Sequence, residues 1–249
     1  MKRRIEVFET ISELSGRGAE RFMAEAAAAI TNRGQFTVAL SGGLTPRPLF
    51  SELASDEYVG RVNWGRTHFF WVDERCVPPV HPDSNYKAAF DLLLSKLPVE
   101  DTHFHRIPGE QSPEVAAFSY EQDLRDFFVD QSPPRFDLVI LGVGTDGHTA
   151  SIFPGSRFAI DTSRYAVHVY VEKLDSHRVT LTLPVLNNAR EVVFLVSGRE
   201  KAGIVRSMLE DDIQCYPASL VTPVEGTVTW LLDHEAAMLL SKVNCLSRT

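Results

Sequence analysis

The stretch Phe136-Asp137-Leu138-Val139-Ile140-Leu141-Gly142-Val143-Gly144-Thr145-Asp146-Gly147-His148-Thr149-Ala150-Ser151 decides the fold. From Leu138 to Leu141 no position is polar, the pattern of a strand buried on both faces in a parallel sheet. Three glycines follow, which let the backbone turn sharply and bring its N–H groups close to a ligand. Asp146 and His148 then stand two residues apart, and an imidazole so placed is suited to proton transfer near neutral pH. The spacing Gly142-x-Gly144-x-x-Gly147 also fits the glycine fingerprint of dinucleotide-binding folds. One segment therefore starts two readings.

Outward from this strand, apolar runs alternate with amphipathic ones. Residues 11–33 read as a helix stopped by Gly34, and Phe36–Leu40 as a strand. Thr45 is the expected cap, with Pro46 at the first position, of a helix through Leu53. Thr67–Val72 reads as a strand, Asp73–Pro82 as a loop, and Asp83 or Ser84 as the cap of a helix reaching Leu97. Glu114–Val129 is helical, and Asp137–Leu141, Ala166–Val171, Val179–Leu183 and Val192–Val196 are strands. A helix over Ser197–Leu209, a strand at Trp230–Leu232 and a helix at Glu235–Leu240 complete the series. This alternation predicts an α/β fold with an open, mainly parallel, Rossmann-like sheet covered by helices on both faces. Ligands in such folds collect beyond the carboxyl ends of the strands. Every chemically suggestive loop of this chain follows such an end.

The 249 residues, 44% apolar and 23% charged, carry neither a repeat nor a long linker and are expected to form one α/β domain over 1–249. Apolar runs such as Val192-Val193-Phe194-Leu195-Val196 fall far short of the ~20 residues a membrane span needs. The basic opening Met1-Lys2-Arg3-Arg4 is followed by Glu6 and Glu9, which is no signal-peptide pattern, so a cytoplasmic location is expected. A net charge of −8 argues against nucleic acid, while leaving room for a small anionic substrate. Cys76, Cys215 and Cys245 form no CxxC pair and read as reduced thiols. His103 and His105 lack a third ligand and read as loop histidines, with no metal expected; Phe69-Phe70-Trp71 and Phe127-Phe128 read as core.

Ser41-Gly42-Gly43-Leu44-Thr45-Pro46 leads from a strand into a helix, where accessible N–H groups and the hydroxyls of Ser41 and Thr45 can hold a phosphate. No Gly-Lys-Ser/Thr follows, so it is not a Walker loop. Ser197-Gly198-Arg199-Glu200-Lys201 repeats the layout, and an anion would relieve the conflict between Lys201 and the helix dipole. Arg178, at the start of a strand, gains meaning only by converging with Lys201. In Asp73-Glu74-Arg75, Asp73 is a candidate proton acceptor or orienting carboxylate and Arg75 a candidate oxygen-polarising group, while Asn85 offers an amide. The dinucleotide reading weakens, because Pro154 stops any helix within two turns of Gly147 and only Glu172 loosely matches the expected acidic residue. His148 is expected in the first turn of that short helix, kept neutral by its dipole, with Asp146 orienting it.

Together these segments, with Gly142-x-Gly144-x-Asp146-Gly147-His148-Thr149-Ala150-Ser151, Ser84-Asn85-Tyr86, Arg178-x-Thr180 and Gly198-x-x-Lys201-Ala202, resemble the 6-phosphogluconolactonase family across roughly residues 35–210. The resemblance implies hydrolysis of 6-phospho-D-glucono-1,5-lactone without a cofactor. It implies a phosphate near Ser41, Gly42, Gly43, Thr45, Arg178 and Lys201, and catalysis by His148 with Asp146, Asp73 and Arg75 beside it. Leu44 departs from the family's usual small polar residue. Glucosamine-6-phosphate deaminase is the nearest rival, and its usual tyrosine after the Asp-Glu pair is Arg75 here. A non-catalytic sugar-phosphate sensor would use the same cradle without His148.

Overall fold

The computed structural model describes residues 2–160, 162–211 and 215–241. Among them, seven strands run parallel: β1 (Lys2–Phe8), β2 (Phe36–Leu40), β3 (Thr67–Trp71), then, after β4 (Asp73–Arg75), β5 (Phe104–His105) and β6 (Leu138–Leu141). Beyond β7 (Ala166–Val171) and β8 (Ser176–Leu181), β9 (Glu191–Val196) and β10 (Thr227–Asp233) complete the set. The spatial order is β1-β10-β9-β6-β2-β3-β5. β4, β8 and β7 form a second, antiparallel sheet in that order.

β2, β6 and β9 are buried along their whole lengths; apart from Thr37 and Glu191 every position in them is apolar, the character of strands covered on both faces. The chain leaves β2 toward β3 and β5, returns to β6 on β2's other side, and continues outward to β9 and β10. The order therefore reverses between β2 and β6, the switch point at which α/β sheets open a crevice.

The helices among the described residues are α1 (Ile11–Arg33), α2 (Arg47–Leu53), α3 (Asn85–Leu92), α4 (Pro113–Phe127), α5 (Arg157–Ile160), α6 (Leu183–Leu186), α7 (Ala202–Leu209) and α8 (His234–Ala237). In α1 the Thr10 hydroxyl accepts the Glu13 N–H at 3.2 Å, and Gly34, at φ 80°, ends the helix. Its buried face, Leu14, Gly18, Ala19, Phe22, Ala26 and Ala29, follows the three-and-four spacing of an amphipathic helix against a sheet. Arg21 bridges Glu6 of β1 (2.6 Å) and Glu191 at the amino end of β9 (3.2 Å). There too Asp137 accepts Arg33 at 2.7 Å and the Thr37 N–H at 2.9 Å. The opposite ends of the strands are left to the site loops.

The open, mainly parallel sheet is as expected, and no helix of the described residues is long and apolar enough to cross a membrane. Several local expectations are corrected. Asp73–Arg75 is not loop but strand, because β8 offers it a partner, and the strands at Ala166–Val171 and Ser176–Leu181 lie outside the parallel sheet. The helix expected to reach Leu97 ends at Leu92 and continues as a 3-10 turn over Leu94–Lys96. Thr45 does not cap α2, which starts from Pro46 without a side-chain cap. No helix begins at His148: the chain turns tightly at Gly147 (φ 78°) and Thr149 pairs with Ile152. Cys76 and Cys215 are free thiols, and Cys245 lies outside the described residues.

Candidate active site

Ser41, Gly42, Gly43, Thr45, Asp73, Arg75, Asn85, His148, Arg178 and Lys201 line one cleft of about 480 Å³ at the carboxyl ends of β2, β3, β6 and β9. Asp146 stands behind the cleft wall and reaches it through His148.

Its floor is the loop after β2. A Cβ on Gly42 would fall 1.7 Å from Asn85 Oδ1, so only glycine lets α3 approach, and Gly43 takes φ 93°. The Ser41 hydroxyl is buried without a protein partner, a donor available to a ligand. Across the cleft, Gly198 (φ 102°) opens the turn that carries Lys201. Asp233 ties this turn down, accepting the Ser197 hydroxyl (2.5 Å) and the Gly198 N–H (3.1 Å) while capping α8 through the Ala236 N–H (2.8 Å).

The antiparallel sheet supplies the next wall. Arg75 and Arg178 are register partners, and each keeps a buried Nε with no partner in the protein. Burial, and then the charge of Arg75, pull the Arg178 guanidinium below its ordinary pKa. Two adjacent cations with spare donors form a site for an anion. Asp73 is buried beside them, taking the Ser151 hydroxyl at 2.5 Å and the Asn85 amide at 3.3 Å. Glu74 points the other way. Its carboxylate accepts the N–H groups of Arg75 (2.8 Å), Asn85 (2.7 Å) and Tyr86 (2.8 Å) and the Ser84 hydroxyl (2.9 Å), which fixes the start of α3 and hence Asn85. Burial pushes the Glu74 carboxyl above its ordinary pKa, and these four bonds only partly oppose it.

The last wall follows β6. His148 Nδ1 lies 2.5 Å from Asp146 Oδ1, which also accepts the His148 N–H at 3.2 Å. With Nδ1 committed to the carboxylate, Nε2 is the nitrogen left for the cleft. Lys173 binds the other oxygen of Asp146. Burial alone would raise the Asp146 carboxyl, but the hydrogen bonds from Lys173 and His148 outweigh it and hold the group far below the usual carboxylate range. Phe153 lies under both partners, its ring centroid 4.3 Å from that of the imidazole and 4.7 Å from the Lys173 ammonium. Gly144 permits the ring's position, since a Cβ there would sit 2.0 Å from His148 Nδ1. Ala150 adopts φ 48°, an unfavourable left-handed conformation for a residue with a Cβ, at the turn that brings Ser151 to Asp73.

The family model for glucosamine-6-phosphate isomerases/6-phosphogluconolactonase matches residues 9–230. The chain belongs to this family. Within it, the chain is 39% identical over 240 residues to 6-phosphogluconolactonase of Rattus norvegicus, covering 95% of this chain and 93% of that one. It is 41% identical over 214 residues to 6-phosphogluconolactonase of Synechocystis sp., with 84% and 86% covered. The solved 6-phosphogluconolactonase from Trypanosoma cruzi superposes with a TM-score of 0.86 at 30% identity, over 97% of this chain and 98% of that one.

Sequence reasoning missed Lys173, Phe153, Ser151 and Asp233 as members or supports of this family site. Lys173 follows the end of β7 beside Glu172 and Phe153 precedes Pro154-Gly155, but in those settings a lysine and a phenylalanine read as ordinary loop residues. Ser151 stood inside the quoted motif and carried a signal that spacing could not resolve: its target, Asp73, is distant in the chain. Asp233 lies at a strand's carboxyl end, the one positional clue available.

Proposed function

We propose that this chain is a single catalytic domain that hydrolyses 6-phospho-D-glucono-1,5-lactone to 6-phospho-D-gluconate, the second step of the oxidative pentose phosphate pathway. One observation carries the reading: a carboxylate-held imidazole and two cationic anchors, from loops far apart in the chain, line one cleft of sugar-phosphate size. The names of the relatives support the same chemistry.

In this reading the phosphate is held by the N–H groups and hydroxyls of Ser41–Thr45 with Lys201 and Arg178, which orients the ring ester before reaction. His148 Nε2 takes a proton from water as the water oxygen bonds to the lactone carbonyl carbon. Arg75, assisted by loop N–H groups, stabilises the oxyanion of the tetrahedral intermediate. The bond to the ring oxygen then breaks, the imidazolium returns its proton to that oxygen, and the new carboxylic acid ionises into solvent. Asp146 holds the ring and offsets the transient imidazolium charge. Asp73 keeps Asn85 and Ser151 in place. No redox cofactor enters, because the lactone is already an activated ester.

The test is acid release from freshly prepared phosphogluconolactone, read against the spontaneous rate. A rate no greater than the spontaneous one overturns the reading and leaves a sugar-phosphate sensor. Ammonia release from glucosamine-6-phosphate in a parallel assay would instead identify a deaminase.

A further inference from the structure

We infer that Lys173 is a positioning residue for the catalytic base, fixing the carboxylate of Asp146 and through it the orientation and tautomer of His148. The inference rests on the lactone-hydrolysis reading for its kinetic consequence, and on geometry alone for the rest.

The Asp146 carboxylate has two oxygens and two partners. Oδ1 takes both the ring Nδ1 and the backbone N–H of His148, and Oδ2 takes the Lys173 ammonium. A carboxylate held only at Oδ1 can rotate about its Cβ–Cγ bond. Each rotation would move the acceptor away from Nδ1 and free the ring to exchange tautomers. With Lys173 on the second oxygen, that rotation breaks an ion pair as well. The two partners of Asp146 share one apolar support, because Phe153 packs against the imidazole and carries the ammonium over its face. Lys173 reaches this position from the 3-10 turn Glu172–Leu174, between β7 and β8, five residues before the anion-binding Arg178. The small antiparallel sheet therefore supplies an anchor to the substrate and an anchor to the base.

A side chain half exposed, as Lys173 is, contributes little to global stability through its ion pair. Its removal reads out position rather than folding. Lys173 also borders the cleft, but its ammonium is turned to Asp146.

The experiment compares Lys173→Met, Lys173→Gln and Lys173→Arg with the parent chain, using steady-state kinetics on the lactone and 15N NMR of the histidine ring nitrogens. His148→Asn assigns the resonances. Lys173→Met and Lys173→Gln are expected to lower kcat about tenfold with KM within about twofold of the parent, and Lys173→Arg to recover most of the loss. In the spectra, His148 should pass from a single Nδ1–H tautomer to a mixture in the Met and Gln variants and return in the Arg variant. Unchanged His148 resonances in variants that keep the parent's thermal midpoint would overturn the inference, as would a loss confined to KM. A parent chain that leaves the lactone untouched would end the functional reading instead, and the ring-nitrogen spectra would still decide the role of Lys173.

Discussion

Nδ1 of His148 belongs to Asp146 and Nε2 to the cleft, so an amide of similar size should keep the shape of the site and remove the base. His148→Asn is therefore expected to lower kcat by about 10²–10⁴-fold with KM little changed, measured as catalysed acid release. Near-normal turnover would mean another group takes the proton. At the anion sites the expected pattern is reversed. Arg178→Ala or Lys201→Ala should raise KM by at least about tenfold while kcat stays within a few-fold, because in the proposed reading each group binds a part of the substrate that does not react. A fall in kcat alone in either variant would reassign that cation to the reacting carbonyl. At this scale the sequence exposed the groups that carry distinctive spacing: the glycine pairs, and Asp146 with His148. It hid those whose meaning is a contact. Lys173 in Glu172-Lys173-Leu174 and Glu74 in a run of three charges look like solvated side chains until their partners appear.

Among the elements, legibility followed burial. β2, β6 and β9, apolar save for Thr37 and Glu191, are buried on both faces, and such a run reads as strand unaided. β1, with Lys2, Arg3 and Arg4, lies at the rim of the sheet, and β4 is three charged residues; both are strands only because β10 and β8 pair with them. The helix expected at His148 failed because Gly147 and Ala150 turn left-handed where a helix cannot. The edge formed by β3 and β5 also carries a titrating element. His68 stacks on His103 at 4.5 Å and meets His105 at 3.2 Å, and His105 in turn pairs with Asp123. Burial, and then the neighbouring histidines, lower the His68 pKa to about 4. Its folded value lies below its unfolded value of about 6.5, so the unfolded chain binds the extra proton between them. Stability should accordingly fall as pH is lowered from about 6.5 to about 4. The slope of the urea midpoint against pH over that window should flatten in His68→Gln. An unchanged slope would place the dependence elsewhere.

Across the whole molecule, chemistry and cohesion occupy opposite ends of one sheet. The carboxyl ends hold the cleft, while Asp137 sits near the amino ends, 6% exposed, bound to Arg33 and Thr37 and 3.4 Å from Arg190. Asp137→Ala leaves those donors without their acceptor and is expected to cost about 3 kcal/mol, seen as a lower denaturation midpoint. KM for the lactone should not move, since Asp137, Arg33, Thr37 and Arg190 do not line the cleft; a changed KM would show that the two ends are coupled. The side chain of Leu44 stands 76% exposed at the mouth of the cleft, between glycines and a threonine that line it. A polarity-sensitive fluorophore attached to cysteine at that position would protrude into solvent when the mouth is open and change its emission as sugar phosphate enters. With Cys215 and Cys245 replaced by serine, and with burial raising the Cys76 thiol to about 11 so that it stays protonated, labelling would fall on the new site. The loop proposed to receive the substrate can in this way announce its arrival optically.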